Sequence, residues 1–172
     1  MQYDHSKKSK DTLEFIGELP HKIKLELAQV MHLEMYKSVK FFTNRREDQS
    51  FIAWIGTVIH PFNVQEEEYI FKEQEPIVEM YFLVKGGATY VLPRFKNKPY
   101  FVIENGSEFG HVDLFGRRYP IDQLIIENSK KKNDLIRTFT CRADASCELL
   151  NLPVSDLDKM HKEFPDIYLE LY

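Results

Sequence analysis

The chain has 172 residues, 43% hydrophobic and 29% charged, with a formal net charge of −4. This length carries one domain with a full core and room for a helical appendage, and the acidic balance excludes a sequence-wide nucleic-acid footprint. No apolar run reaches bilayer-spanning length, the start from Met1 to Lys8 lacks a signal-peptide core, and Cys141 and Cys147 lack metal-ligand spacing, so both cysteines read as small core residues in a reducing compartment.

Residues 1–11 are polar and basic and read as a disordered start. A helix is expected from Asp11 or Thr12 through Leu13, Phe15, Ile16 and Leu19, and Pro20 opens a second one. Ile23, Leu27, Val30 and Met31 recur at helical spacing to about Met35, on a face that is either core or a subunit contact. A turn over Lys37 to Phe42 presents Phe41 and Phe42. Phe51, Ile52, Trp54, Ile55, Val58 and Ile59 predict a third helix, ended by His60-Pro61.

From Pro61 the period changes to that of strands. Tyr69 to Phe71, Met80 to Val84, Ala88 to Leu92 and Tyr100 to Ile103 are short runs rich in aromatic and β-branched residues. Gly86-Gly87 predicts a tight hairpin between the second and third, and Asn97-Lys98-Pro99 parts the next two. Leu135 to Ala143 and Cys147 to Leu152 complete six or more strands with few helices between them. That order implies an antiparallel barrel or sandwich rather than a parallel sheet. After Pro153, the residues Val154, Leu157, Met160 and Phe164 predict an amphipathic helix, and Pro165 begins a last short segment.

Ligand chemistry concentrates between Glu104 and Cys147. Asn105-Gly106-Ser107-Glu108-Phe109-Gly110 carries two glycines four residues apart, a spacing that lets backbone N–H groups approach an anion. The residues after it are spaced as one helical turn with Val112 and Phe115 inward. Arg137-Thr138 then opens an alternating run whose guanidinium and hydroxyl are candidates for phosphate; the alternative for Arg137 is an ion pair with an acidic neighbour. His111 and Asp113 lack a third group to orient them, so catalysis is not expected, and no metal site is. The run Lys130-Lys131-Lys132 reads as a solvated loop.

These pieces, in this order, resemble the cyclic-nucleotide-binding domain of voltage-gated cation channels, with the end of its helical linker, over residues 12–172. The resemblance rests on Leu19-Pro20 before a helix, on Phe41-Phe42 and Phe51-Ile52, on Met80-Tyr81-Phe82 with Gly86, and on Phe109-Gly110-His111 with Arg137-Thr138. It implies an α+β fold, an antiparallel jelly-roll β-barrel flanked by N-terminal linker helices and C-terminal helices. Linker and N-terminal helices would occupy 12–60 and the roll 61–152, with a phosphate-cassette-like turn at 104–115 and an insertion at 116–136. The C-terminal helices, with a lid cut short, would occupy 153–172.

The resemblance further implies a ligand set of Phe109, Gly110, His111, Val112, Arg137 and Thr138, with cAMP or cGMP as the ligand and no other cofactor. The expected partners are the transmembrane part of a homotetrameric channel at the cytoplasmic face of a membrane, with no nucleic acid. Three departures accompany it. His111 replaces a ribose-binding Glu, at a cost of about 1.5–3 kcal/mol of ligand affinity. The insertion brings Leu124-Ile125-Ile126 within reach of the pocket mouth. Glu67 and Gln74 replace turn glycines. Two alternatives stand beside this reading. One is a degenerate domain of the same fold that binds no nucleotide, its pocket filled by the insertion or by Tyr168, Leu169 or Tyr172; the other is a regulatory domain of a cyclic-nucleotide-dependent kinase.

Overall fold

A computed structural model describes residues 37–44, 48–114 and 136–171. The helices expected before residue 36, the insertion over 116–135 and Tyr172 lie outside the described residues.

Helix α1, Lys40–Thr43, buries both Phe41 and Phe42. Helix α2, Gln49–Val58, starts at Asp48, whose carboxylate accepts the Phe51 N–H at 3.0 Å and satisfies one of the orphan donors of the first turn. It ends where Ile59 turns extended, two residues before Pro61. The strands that follow are β1 (His60–Val64), β2 (Tyr69–Phe71), β3 (Glu79–Leu92), β4 (Lys98–Ile103), β5 (Glu108–Phe109) and β6 (Thr140–Pro153). Helices α3 (Val154–Glu163) and α4 (Pro165–Leu169) close the described chain.

All pairings are antiparallel, in the order β1-β6-β3-β4, with β2 added to β6 and β5 to β3. The sheet is built on one long ribbon of β3 against β6. Its first half, where Met80 to Leu83 face Leu152 to Leu149, is flanked by β1 and β5; its second half, where Ala88 to Val91 face Ala143 to Thr140, is flanked by β2 and β4. Between the halves the register shifts three times, and such bulges bend and twist a ribbon.

This corrects two expectations. Gly86-Gly87 is no hairpin: β3 runs through it, and Gly86 at φ +114° lies against the β6 backbone, where an added Cβ would meet Cys147 Cα at 2.8 Å. A glycine pair permits a reversal and equally permits a bulge, and only the partner strand decides. Likewise the two late strands are one, and it begins at Thr140, so Arg137 and Thr138 precede it in a bend. Strands β1 and β5 carry no period that the sequence reading caught.

Both faces of the ribbon are buried, which is why Met80 to Val84 reads as a continuous apolar run. Met80 and Phe82, with Leu150 and Leu152, point to a core shared with α1, α2, α3 and α4, where the Phe82 ring lies 4.9 Å from Phe42 and 5.7 Å from Phe41. Tyr81, Leu83 and Leu149 point the other way, into the interior of the roll with Phe71, Tyr90, Phe109, Cys141 and Cys147. Leu157, Met160, Ile167 and Tyr168 complete the helical core, so the spacing read for the last helices holds. Tyr168 therefore does not enter the roll, and Leu169 is exposed; neither fills a pocket there.

Candidate functional site

The two glycines of the cassette turn have separate jobs. Gly106, at φ +85°, donates its N–H to the Leu83 carbonyl at 2.7 Å, and its own carbonyl accepts the Lys40 N–H at 2.9 Å. Its amide is spent on tying α1 to the sheet, so only one glycine of the pair faces the niche. Gly110, at φ +75°, follows the two-residue strand β5, which seats Phe109 opposite Tyr81. Its open side lies directly against Arg137: a Cβ there would meet the guanidinium at 3.0 Å, Phe71 at 3.3 Å and Tyr81 at 3.4 Å.

Arg137 is delivered by a turn on the far side. The Gln74 N–H donates to the Arg137 carbonyl and the Arg137 N–H to the Glu75 carbonyl, both at 2.8 Å, with Gln74 held at φ +72°. Glu67 holds φ +69° in the preceding turn. The positions that the resemblance marks as glycine thus keep the left-handed backbone while carrying a side chain.

Anchored this way, the Arg137 side chain runs inward and is 1% exposed. One terminal nitrogen donates to the Gly110 carbonyl and the other to the Glu79 carbonyl. The guanidinium lies 4.1 Å from the Phe71 ring centroid and 5.8 Å from that of Tyr81. Among the described residues its Nε has no hydrogen-bond partner. Among the described residues Arg137 makes no ion pair, so the acidic partner held open as an alternative is replaced by two backbone carbonyls. Burial pulls the guanidinium below its ordinary value, while Tyr81, Asp113, Tyr90 and Glu79 act in the opposite direction.

The surroundings are polar at their edges. The Tyr81 hydroxyl donates to the Glu79 carboxylate at 2.7 Å, and the Asn151 amide donates to the other oxygen of that carboxylate. The Gly110 N–H donates to the Tyr90 hydroxyl at 3.2 Å. Burial raises both phenols well above their usual value and keeps them protonated, with Glu79 reinforcing the effect at Tyr81. His111 is half-buried beside Gly110; burial lowers its imidazole below its ordinary value, against the pull of Glu108.

Of the six candidate residues, Phe109, Gly110 and Arg137 come together and His111 borders them. Val112, expected to face inward, points outward at 56% exposure, while Asp113 and Leu114 of the same turn are buried; Phe115, expected inward with it, lies outside the described residues. Thr138 is exposed. It stands with Phe139 in the bend before β6, and both side chains face solvent there. The sequence reading missed Phe71, Glu79, Tyr81 and Tyr90. Alternation counted from Tyr81 assigns Tyr90 to the other face, and the register shifts near Gly86 reverse that parity. A cavity of about 560 Å³ opens between β1 and β2, lined by Phe62, Val64, Tyr69, Phe71 and Lys72 among others, and meets the arginine niche at Phe71.

No protein-family profile matches the chain. Over 161 residues, 94% of this chain, it is 27% identical to the cyclic nucleotide-gated channel rod photoreceptor subunit alpha of Gallus gallus and to cyclic nucleotide-gated channel alpha-3 of Homo sapiens. It spans 23% and 21% of those proteins, under a quarter of their length. A Geobacter metallireducens crystal structure described as a cyclic nucleotide-binding protein superposes with a TM-score of 0.56 at 15% identity, over 80% of this chain and 86% of that one. The antiparallel sheet with few helices is accordingly the jelly-roll fold of that protein. The arrangement of flanking helices expected from the sequence lies partly outside the described residues.

Proposed function

We propose that the chain is a cyclic-nucleotide-binding-type regulatory domain of an ion channel, and that Arg137 receives the cyclic phosphate. The observation that carries this reading is a buried arginine that, among the described residues, has no ion pair and no acceptor for its Nε. A buried cation is costly unless a counter-charge meets it, and a phosphodiester supplies both the charge and acceptors for the fork. Phe71, Tyr81 and Phe109 wall the niche with aromatic rings.

The similarity to channel subunits named for cyclic nucleotide gating supports the regulatory role. In this reading the domain lies at the cytoplasmic face of a membrane, in a homotetramer, and passes the bound state to a pore; among the described residues no helix is long and apolar enough to cross a bilayer. Coupling requires that nucleotide favour one arrangement of the helices over another.

Titration of the chain with cAMP and cGMP by calorimetry tests it. Saturable binding is expected, weakened roughly thirtyfold or more by Arg137→Gln in a protein that still unfolds cooperatively. Flat traces for the unaltered chain overturn the reading and favour the degenerate domain of the same fold. That alternative has its own support here: both terminal nitrogens of Arg137 already have acceptors within the chain.

A further inference from the structure

The amide that a phosphate oxygen would take at the cassette, that of Gly110, already has an acceptor: the hydroxyl of Tyr90, 3.2 Å away. Tyr90 sits on β3, 9% exposed, with its ring 5.8 Å from Phe139, 6.0 Å from Phe101 and 6.1 Å from Phe71. That packing fixes where the hydroxyl stands. On its other side the same glycine is bound through its carbonyl by Arg137, so one residue's donor and acceptor are both taken by buried side chains. The Arg137 Nε has no acceptor among the described residues.

We propose that the Tyr90 hydroxyl is a built-in occupant of the anion position, competing with a phosphodiester for the Gly110 amide and setting how tightly it binds there. This rests on the reading of Arg137 as a phosphate receptor. A neutral phenol oxygen accepting one N–H is a weaker partner than an anionic oxygen, so a phosphodiester displaces it, and the affinity is lowered by what that hydrogen bond was worth. The value of a single neutral hydrogen bond corresponds to a reduction on the order of two- to tenfold. The occupant is part of a strand rather than of a mobile tail, so it acts as a fixed threshold: weak anions leave it in place and a well-fitted cyclic nucleotide does not.

Tyr90→Phe removes the oxygen and keeps the ring. Two readouts on the whole chain decide the matter. In the absence of ligand, hydrogen exchange of the Gly110 amide, followed by NMR, is expected to accelerate at least severalfold in Tyr90→Phe while the amides of β6 stay protected; unchanged exchange overturns the proposal. In calorimetric titrations with cAMP, Tyr90→Phe is expected to bind two- to tenfold more tightly than the unaltered chain. Equal or weaker binding overturns the proposal, because the phenol would then be neutral or a ligand contact. Flat traces in both proteins overturn the nucleotide reading and the threshold with it, whereas saturable binding that Tyr90→Phe leaves unchanged overturns the threshold alone, so the two failures are distinguishable.

Discussion

Glu67 and Gln74 sit at φ +69° and +72°, where a side chain crowds its own backbone. Left-handed backbone costs an ordinary residue about 1–2 kcal/mol that glycine does not incur. Gln74→Gly is therefore expected to stabilise the chain by about 1 kcal/mol in urea unfolding, part of the gain being lost to the greater freedom of the unfolded glycine. Gly110 is the reverse case. Gly110→Ala sets a methyl 3.0 Å from the Arg137 guanidinium at φ +75° and is expected to cost about 1–3 kcal/mol by the same measurement, with the loss smaller in the background Arg137→Gln.

At His111 the imidazole is held below its ordinary value by burial, so between its folded value and about 6.5 the unfolded chain binds more protons than the folded one. Its contribution to stability is thus complete above about pH 6.5 and declines as the pH falls. His111→Gln is expected to flatten the stability profile between pH 7 and 5. An unchanged slope would show that the ring is solvated. Should the chain bind cAMP, His111→Glu is expected to tighten it roughly ten- to a hundredfold, the counterpart of the acceptor lost at this position.

The elements were legible where one signal decided them. The capped helix after Asp48 and the amphipathic run Val154, Leu157, Met160 each carry period, start and stop in a few residues. The long strands were not legible, because their course is set by partners distant in sequence: Gly86 opposes Ser146 and Cys147, and no local pattern separates a bulge from a turn. The same bulge hid half of the site, since the parity of β3 changes there and brings Tyr90 round to the side of Tyr81. Arg137 was legible as chemistry, and its inward course was fixed by the Gln74 and Glu75 backbone, which the sequence does not announce. Filling the bulge is the element-scale test. Gly86→Val forces a side chain into the β6 backbone and is expected to destabilise by about 3 kcal/mol or more, shown by a lowered urea midpoint.

Across the molecule, strand β3 is the shared wall of two cores. Tyr81 faces the arginine niche and its neighbour Phe82 packs on Phe41 and Phe42 of α1. The cassette turn reaches the same helix through the Lys40 N–H on Gly106. A ligand that moves Tyr81 therefore acts one residue away from the helical layer, and one that moves Gly110 acts on the turn that Gly106 ties to α1, which is the physical route for a signal in the proposed regulatory role.

If Arg137 receives an anion, its Nε–H, without an acceptor among the described residues, is the group that must respond. In a 15N-labelled chain the Arg137 Hε resonance, assigned by its loss in Arg137→Lys, is followed as cAMP is added. A saturable downfield movement of that one resonance is expected. A resonance that stays fixed at millimolar cAMP would contradict it and leave Arg137 as a buried pin between two carbonyls.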